Sequence, residues 1–202
     1  PNIEKALQTA LGIELFHNFT LLHDDIMDKA IIRRGSSTVH EKFGTNVAIL
    51  AGDTMLVKSY ELLLNNESKR IKEVISIFNT VAINICEGQQ LDIDFESSSN
   101  ISISDYLKMI EYKTSILLAG SLKIGGMLGG ANKTQANNLY KFGIAIGIAF
   151  QLQDDLLDLY SISKSFGKKI GRDIITNKKT YLYLRALELS TNNQKQKLKN
   201  LF

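Results

Sequence analysis

The sequence predicts an all-α fold, a bundle of long, mostly antiparallel helices, and three observations carry that prediction. The 202 residues contain one proline, whereas a β-sandwich or barrel of this size needs many Pro/Gly turns. Apolar residues recur at steps of three, four or seven nearly throughout, as in Leu11, Leu15, Leu22 and Ile26, and again in Leu139, Phe142, Ile146, Ala149 and Leu156. Strict alternation over four or more residues is confined to short stretches such as Leu91–Glu96 and Ile101–Ser104. Helices are expected at roughly 3–31, 46–65, 68–96, 103–130, 133–161, 173–190 and 193–202, several of them longer than the usual three turns.

Each element has its own reason. The first helix carries the first apolar stripe and gives way to a Gly35-Ser36-Ser37 loop. The second and third part at Asn65-Asn66, and both are long amphipathic stretches able to bury a face against a second copy. The polar run Ser97–Asn100 precedes the fourth, for which Ser104 reads as the N-cap. Within that helix, residues 116–130 are apolar and glycine-rich, but they include Lys123 and are too short to span a bilayer. They lack a phosphate-loop pattern, so the small residues are read as places where helices approach closely. Asn132 ahead of Gln135 caps the fifth helix, Ser161–Gly171 is a loop, and two further helices follow. With no solenoid repeat and no linker, residues 1–202 read as a single domain.

Composition narrows the class. Hydrophobic residues make up 44%, enough for a real core, and Cys86 alone allows no internal disulfide, which fits a reducing, cytoplasmic setting. No run of about 18 uncharged apolar residues exists, so no transmembrane segment is expected. The chain opens Pro-Asn-Ile-Glu, without an initiating Met or a signal-peptide pattern, and reads as trimmed. Charge is uneven: residues 1–159 hold 14 basic and 19 acidic side chains, residues 160–202 hold 10 and 2. Residues 191–202 read as a solvated Lys-rich helix rather than a nucleic-acid surface. Between 164 and 179 the cations alternate with glycines instead.

The chemistry lies in His23-Asp24-Asp25-Ile26-Met27-Asp28 and Gln153-Asp154-Asp155-Leu156-Leu157-Asp158, both Asp-Asp-x-x-Asp. Eleven aspartates in the chain make about 0.03 such triples expected by chance. The first and third aspartates of each stack one turn apart on a helix face, where like charges repel by a few tenths of a kcal/mol. No lysine at i±4 offsets them, so something else must. Oxygen donors alone suit a hard cation, Mg²⁺ or Mn²⁺, not zinc, and the spacing is not that of an EF-hand. Mg²⁺ shares its shell with phosphate oxygens, so two such clusters facing each other across a bundle would clamp a diphosphate. Arg33-Arg34-Gly35, Lys113-Thr114, Gly167-Lys168-Lys169-Ile170-Gly171-Arg172-Asp173 and Asn177-Lys178-Lys179-Thr180 supply matching cations and donors; each alone is weak.

Taken together, these residues resemble the trans-isoprenyl diphosphate synthases. Asp24-Asp25-x-x-Asp28 with Arg33-Arg34-Gly35 is similar to the family's first aspartate-rich motif. Gly52-Asp53, Gly88-Gln89, Lys113-Thr114, Phe150-Gln151-x-x-Asp154-Asp155-x-x-Asp158 and Gly167-Lys168 with Gly171-Arg172-Asp173 follow in the family's order. The resemblance runs from about His17 to Thr180. It implies an isoprenoid synthase-like bundle around a central cavity, a homodimer, and Mg²⁺-dependent condensation of isopentenyl diphosphate with an allylic diphosphate. It also implies roles. Asp24, Asp28 and Asp154 would ligate metal, with Asp25, Asp155 and Asp158 in support. Arg33, Lys113, Thr114, Gln151, Lys168 and Lys178 would hold the allylic diphosphate, with Lys113, Thr114 and Gln151 nearest the chemistry. His17 and Arg34 would bind isopentenyl diphosphate, although His17 also fits a satisfied core histidine. Phe19, with Thr20 beside it, lies where the growing tail should run, about 7–8 Å from Asp24 along the axis. An aromatic there implies a short product, geranylgeranyl or farnesyl diphosphate. Against the family pattern, an upstream Gly-Lys-x-x-Arg segment and the C-terminal helices are absent, so the chain is expected to be incomplete at both ends.

Two other readings stay open. One is a non-catalytic partner subunit of such an enzyme, which intact paired motifs argue against. The other is a metal-dependent phosphohydrolase prompted by His23-Asp24, for which His17 and His40 are a poor supply of further ligands.

Overall fold

A computed structural model describes residues 3–66, 68–98, 100–160, 172–175 and 177–201. The order is α1 (Ile3–Met27), a hairpin of β1 (Ile32–Arg33) and β2 (Ser36–Ser37), α2 (Val39–Phe43), α3 (Thr45–Leu64), α4 (Ile71–Ser97) and α5 (Ile103–Ile110). A π-helical turn (Glu111–Ser115) follows, then α6 (Ile116–Leu128), α7 (Lys133–Tyr160), α8 (Arg172–Ile175), α9 (Tyr181–Leu189) and α10 (Asn192–Leu201). The all-α expectation holds, and no helix among the described residues is long and apolar enough to cross a membrane.

Five expectations need correction. The first helix stops at Met27, not near 31, because Lys29 takes a left-handed conformation at φ 48°. The Ala30 N–H then bonds the Asp25 carbonyl at 2.9 Å and the Lys29 N–H bonds that of Ile26 at 3.2 Å, a Schellman stop with Ala30 buried. Residues 32–37 form a hairpin where only a loop at Gly35-Ser36-Ser37 was expected. Its two-residue turn has positive φ at both Arg34 and Gly35, the geometry that matches strand twist. A short helix, α2, stands where none was expected. The fourth helix is capped by Ser102, not Ser104: the Ser102 hydroxyl accepts from the Asp105 N–H, and the Asp105 carboxylate accepts from the Ser102 N–H at 3.0 Å. Finally, 173–190 is two helices, α8 and α9, parted by Asn177 at φ 57° in a second Schellman stop. The cap at Asn132 is as expected, with Asn132 and Gln135 bonding each other's backbone N–H at 2.9 Å.

The chain divides into two compact units, residues 1–81 with 119–141 and residues 82–118 with 142–202. In the first, α1 packs along α3 and the start of α4 through Phe16, which is 1% exposed and meets Phe78 edge-on at 4.9 Å, and Tyr60 meets the same ring at 5.1 Å. In the second, Tyr106, Met109 and Ile110 of α5 bury against Leu184 of α9, joined by Phe95, Ile148 and Leu152. These two cores hold the helix ends that carry the aspartates.

Candidate active site

In the first unit, Asp24 and Asp25 occupy the last turn of α1, which contains no basic residue, and Asp28 follows directly after it with its N–H on the Asp24 carbonyl at 2.8 Å. Unpaired carbonyls make a helix C-terminus negative, so three carboxylates there are unfavourable by themselves. The hairpin answers part of the charge. It carries Arg33 back over the helix end, where Nε donates to both oxygens of Asp25 at 2.8 Å and Nη2 donates to Asp24 at 3.1 Å. Burial alone would depress the Arg33 guanidinium, but its bonds and charge contacts with Asp25 and Asp24 hold it above its ordinary value. Asp25 is buried, while Asp24 and Asp28 are half-buried.

His23, one position earlier, packs its ring on Phe19 at 4.6 Å and places Nε2 3.3 Å from the Ile49 carbonyl and 3.9 Å from Asp53. Gly52 lies beneath it, and a Cβ there would collide with the imidazole. That contact accounts for Gly52-Asp53. His17 is half-buried two turns upstream; burial pushes it below the usual histidine range, and Arg34 and Arg33 push the same way against Glu14. Thr20 bonds the His17 carbonyl at 2.8 Å and Phe19 lies 5.6 Å from Phe16.

In the second unit, Lys113 and Thr114 sit inside the π-helical turn, an element that recurs at functional sites. Two glycines press on it. A Cβ on Gly88 of α4 would overlap the Lys113 backbone, and one on Gly147 of α7 would stand 2.5 Å from the Ser115 Cα. The turn presents Lys113 to Asp92 at 2.5 Å and Thr114 to the Gln151 oxygen at 3.1 Å. Asp92, 14% exposed in its side chain, also meets Lys178 at 3.8 Å. Burial would raise Asp92, but Lys113 and Lys178 overrule it and hold it below the usual carboxylate range.

Asp154, Asp155 and Asp158 lie near the end of α7, again without a basic residue in the last turn. Their pattern repeats that of α1. The middle aspartate, Asp155, is buried and accepts from the Tyr106 hydroxyl and from Gln151 Nε2 at 3.1 Å, whereas Asp154 is exposed and Asp158 half-buried. Burial pushes Asp155 upward against those bonds. Asp158 accepts from the Asp173 N–H at 3.0 Å, and burial with the neighbouring Asp158 charge pushes the Asp173 carboxyl up to about 6. Lys179 caps α4 by donating to the carbonyls of Phe95 at 2.9 Å and Glu96 at 3.1 Å.

The structure thus gathers Asp24, Asp25, Asp28, Arg33 and Arg34 at one helix end, with His17, Phe19 and Thr20 along the same helix. It gathers Lys113, Thr114, Gln151, Asp154, Asp155, Asp158 and Lys178 in the other unit. Lys168, with Gly167–Gly171, lies outside the described residues. Asp92 and Tyr106 join these groups although the sequence did not point to them, while Lys179, expected among the matching cations, donates to the end of α4. Asp92 had one weak signal, a carboxylate between Leu91 and Ile93, which Asp94 between Ile93 and Phe95 shares.

The model of the polyprenyl synthetase family matches residues 1–202. The chain belongs to that family. It is 44% identical over 189 residues to geranylgeranyl diphosphate synthase of Methanosarcina mazei, covering 93% of this chain and 58% of that protein. It is 42% identical to geranylfarnesyl diphosphate synthase of Natronomonas pharaonis, covering 89% and 53%. The crystal structure of geranylgeranyl pyrophosphate synthetase from Pyrococcus horikoshii superposes with a TM-score of 0.94 at 38% identity, covering all of this chain and 62% of that one. The fold is therefore the all-α isoprenoid synthase fold, and the chain spans 53% to 62% of the length of these relatives.

Proposed function

We propose that this chain carries the active centre of a trans-prenyltransferase, a single prenyl synthase domain over 1–202. The enzyme would join isopentenyl diphosphate to dimethylallyl, geranyl or farnesyl diphosphate, giving an all-trans prenyl diphosphate of geranylgeranyl or farnesyl length. One observation carries the reading. In each triad a middle carboxylate is buried on protein donors while its two neighbours stay more open, both at helix ends whose charge calls for a cation. The names of the relatives point to the same chemistry.

Asp24, Asp28 and Asp154 would hold Mg²⁺, or Mn²⁺, with Asp158 beside them and Asp25 and Asp155 fixing the helix ends. No three His, Cys, Asp or Glu donors among the described residues group closely enough to hold an ion alone. Diphosphate oxygens and water would have to supply the remaining ligands, as Mg²⁺ prefers. When bound, the metal supplies positive charge to the departing diphosphate. Lys113 and Lys178, already converging on Asp92, and Lys168 and Arg33 add to that charge, while Thr114 and Gln151 offer a hydroxyl and an amide where it develops. The allylic C–O bond breaks with its electron pair going to the diphosphate. The isopentenyl double bond attacks the resulting carbocation, and the released diphosphate accepts the proton then lost. His17, its charge disfavoured by burial, would offer isopentenyl diphosphate an N–H, and Arg34 a charge. The protein would work in the cytoplasm as a homodimer.

The test is incubation of full-length protein with labelled isopentenyl diphosphate, farnesyl diphosphate and Mg²⁺, then lipid extraction. Labelled geranylgeranyl diphosphate formed by this protein alone supports the reading. Activity only with a second subunit would favour the partner-subunit alternative, and hydrolysis without condensation a phosphohydrolase.

A further inference from the structure

One buried group in the second unit has no part in that scheme. Tyr106 is 3% exposed, and its hydroxyl donates to Oδ2 of Asp155, itself 4% exposed. Oδ1 of the same carboxylate accepts from Gln151, and the backbone N–H of Tyr181, the first residue of α9, donates to it as well. Three donors from α5, α7 and α9 thus converge on a carboxylate in the last turns of α7. The end of a helix lacks four internal hydrogen bonds and frays unless tied down. Here the tie is at the residue between Asp154 and Asp158. Tyr106 lies seven residues before Lys113 on the helical run that leads into the π-helical turn, so one frame carries both the aspartates and the lysine.

We infer that Tyr106 is a positioning residue for the second triad: by saturating Asp155 it fixes the end of α7 and thereby sets Asp154 and Asp158 for metal. Without the hydroxyl, Asp155 keeps two donors and gains an oxygen free to turn, and the outer carboxylates lose their fixed spacing. Partners one shell behind a metal typically change affinity or activity by 10–100-fold. The inference rests on the proposed prenyl transfer only for its catalytic consequence, because metal binding can be read without turnover.

The experiment compares wild type with Tyr106→Phe in the full-length protein, by electron paramagnetic resonance of Mn²⁺ binding in the presence of inorganic diphosphate, by Mg²⁺ dependence of turnover, and by thermal unfolding. Tyr106→Phe should bind Mn²⁺ about tenfold more weakly and raise the half-saturating Mg²⁺ concentration by a similar factor. A neighbouring core change, Ile110→Val, should lower stability without moving either metal constant. A fall in Tm with unchanged metal constants in Tyr106→Phe would reduce Tyr106 to packing and overturn the inference. If Tyr106→Phe cannot be purified folded, Asp155→Asn and Asp155→Ala decide. The asparagine keeps one acceptor, so weakened Mn²⁺ binding in the alanine variant, partly restored in the asparagine, supports the inference, and wild-type binding in both overturns it. A wild-type protein that binds Mn²⁺ but makes no prenyl product would defeat the proposed function and leave this inference standing.

Discussion

Asp92 shows how single residues divide the labour here. It is the carboxylate on which Lys113 and Lys178 converge, and its charge is worth most to the fold at the pH where it is ionised. Because its folded pKa is depressed, its contribution is fully present above the unfolded value of about 3.9 and is lost as pH falls through the lower folded one. Asp92→Asn should therefore cost about 2–3 kcal/mol at pH 7, discounted for the partial exposure of both lysines. It should also flatten the acid limb of stability below about pH 4; denaturant titrations at pH 3, 4, 5 and 7 measure both. Phe19 belongs to the same scale. If it is the floor for the growing tail, Phe19→Ala lengthens the product, and an unchanged distribution by chromatography removes it from that role.

Among the elements, the π-helical turn depends most on its neighbours. Gly88 and Gly147 leave room for its backbone on two sides, and Ser115 inside it is fully buried. Gly147→Ala should push Ser115 aside and carry Thr114 away from Gln151. Stability should fall by about 1–3 kcal/mol through overpacking, read as a lower Tm, with a higher KM for the allylic diphosphate; a tolerated substitution with wild-type KM would mean the turn is not held from α7. The long helices and both triads were legible in the sequence because a 3.6-residue period and an i, i+4 carboxylate pair are local signals. The hairpin was not, since two-residue strands show no alternation and Arg34 is an unusual residue at a positive-φ turn position. Nor was the break at Asn177, a single left-handed residue in an otherwise helical run. The partners Asp92–Lys113 and Tyr106–Asp155 lie 21 and 49 residues apart, and only tertiary packing brings such pairs together. Arg33 was legible as a cation but not as the partner of Asp25, because the expected helix ran past Asp28.

At the scale of the molecule, long helices such as α3 expose Val47, Leu50, Val57 and Leu64, apolar area that a homodimer would cover. Sedimentation should show a dimer at micromolar concentration, and a monomer there would argue against one. The larger question is whether two aspartate triads, 126 positions or more apart in the chain, serve one chemical step. Groups that act as a unit show strongly non-additive losses when removed together. The direct measurement is kcat/KM for Asp24→Ala, Asp154→Ala and the double variant in the condensation assay. Each single change should lower kcat/KM at least about 10³-fold, about 4 kcal/mol of transition-state stabilisation, and the double variant should be little worse than the weaker single. Losses that multiply, or near wild-type turnover in either single variant, would contradict the account.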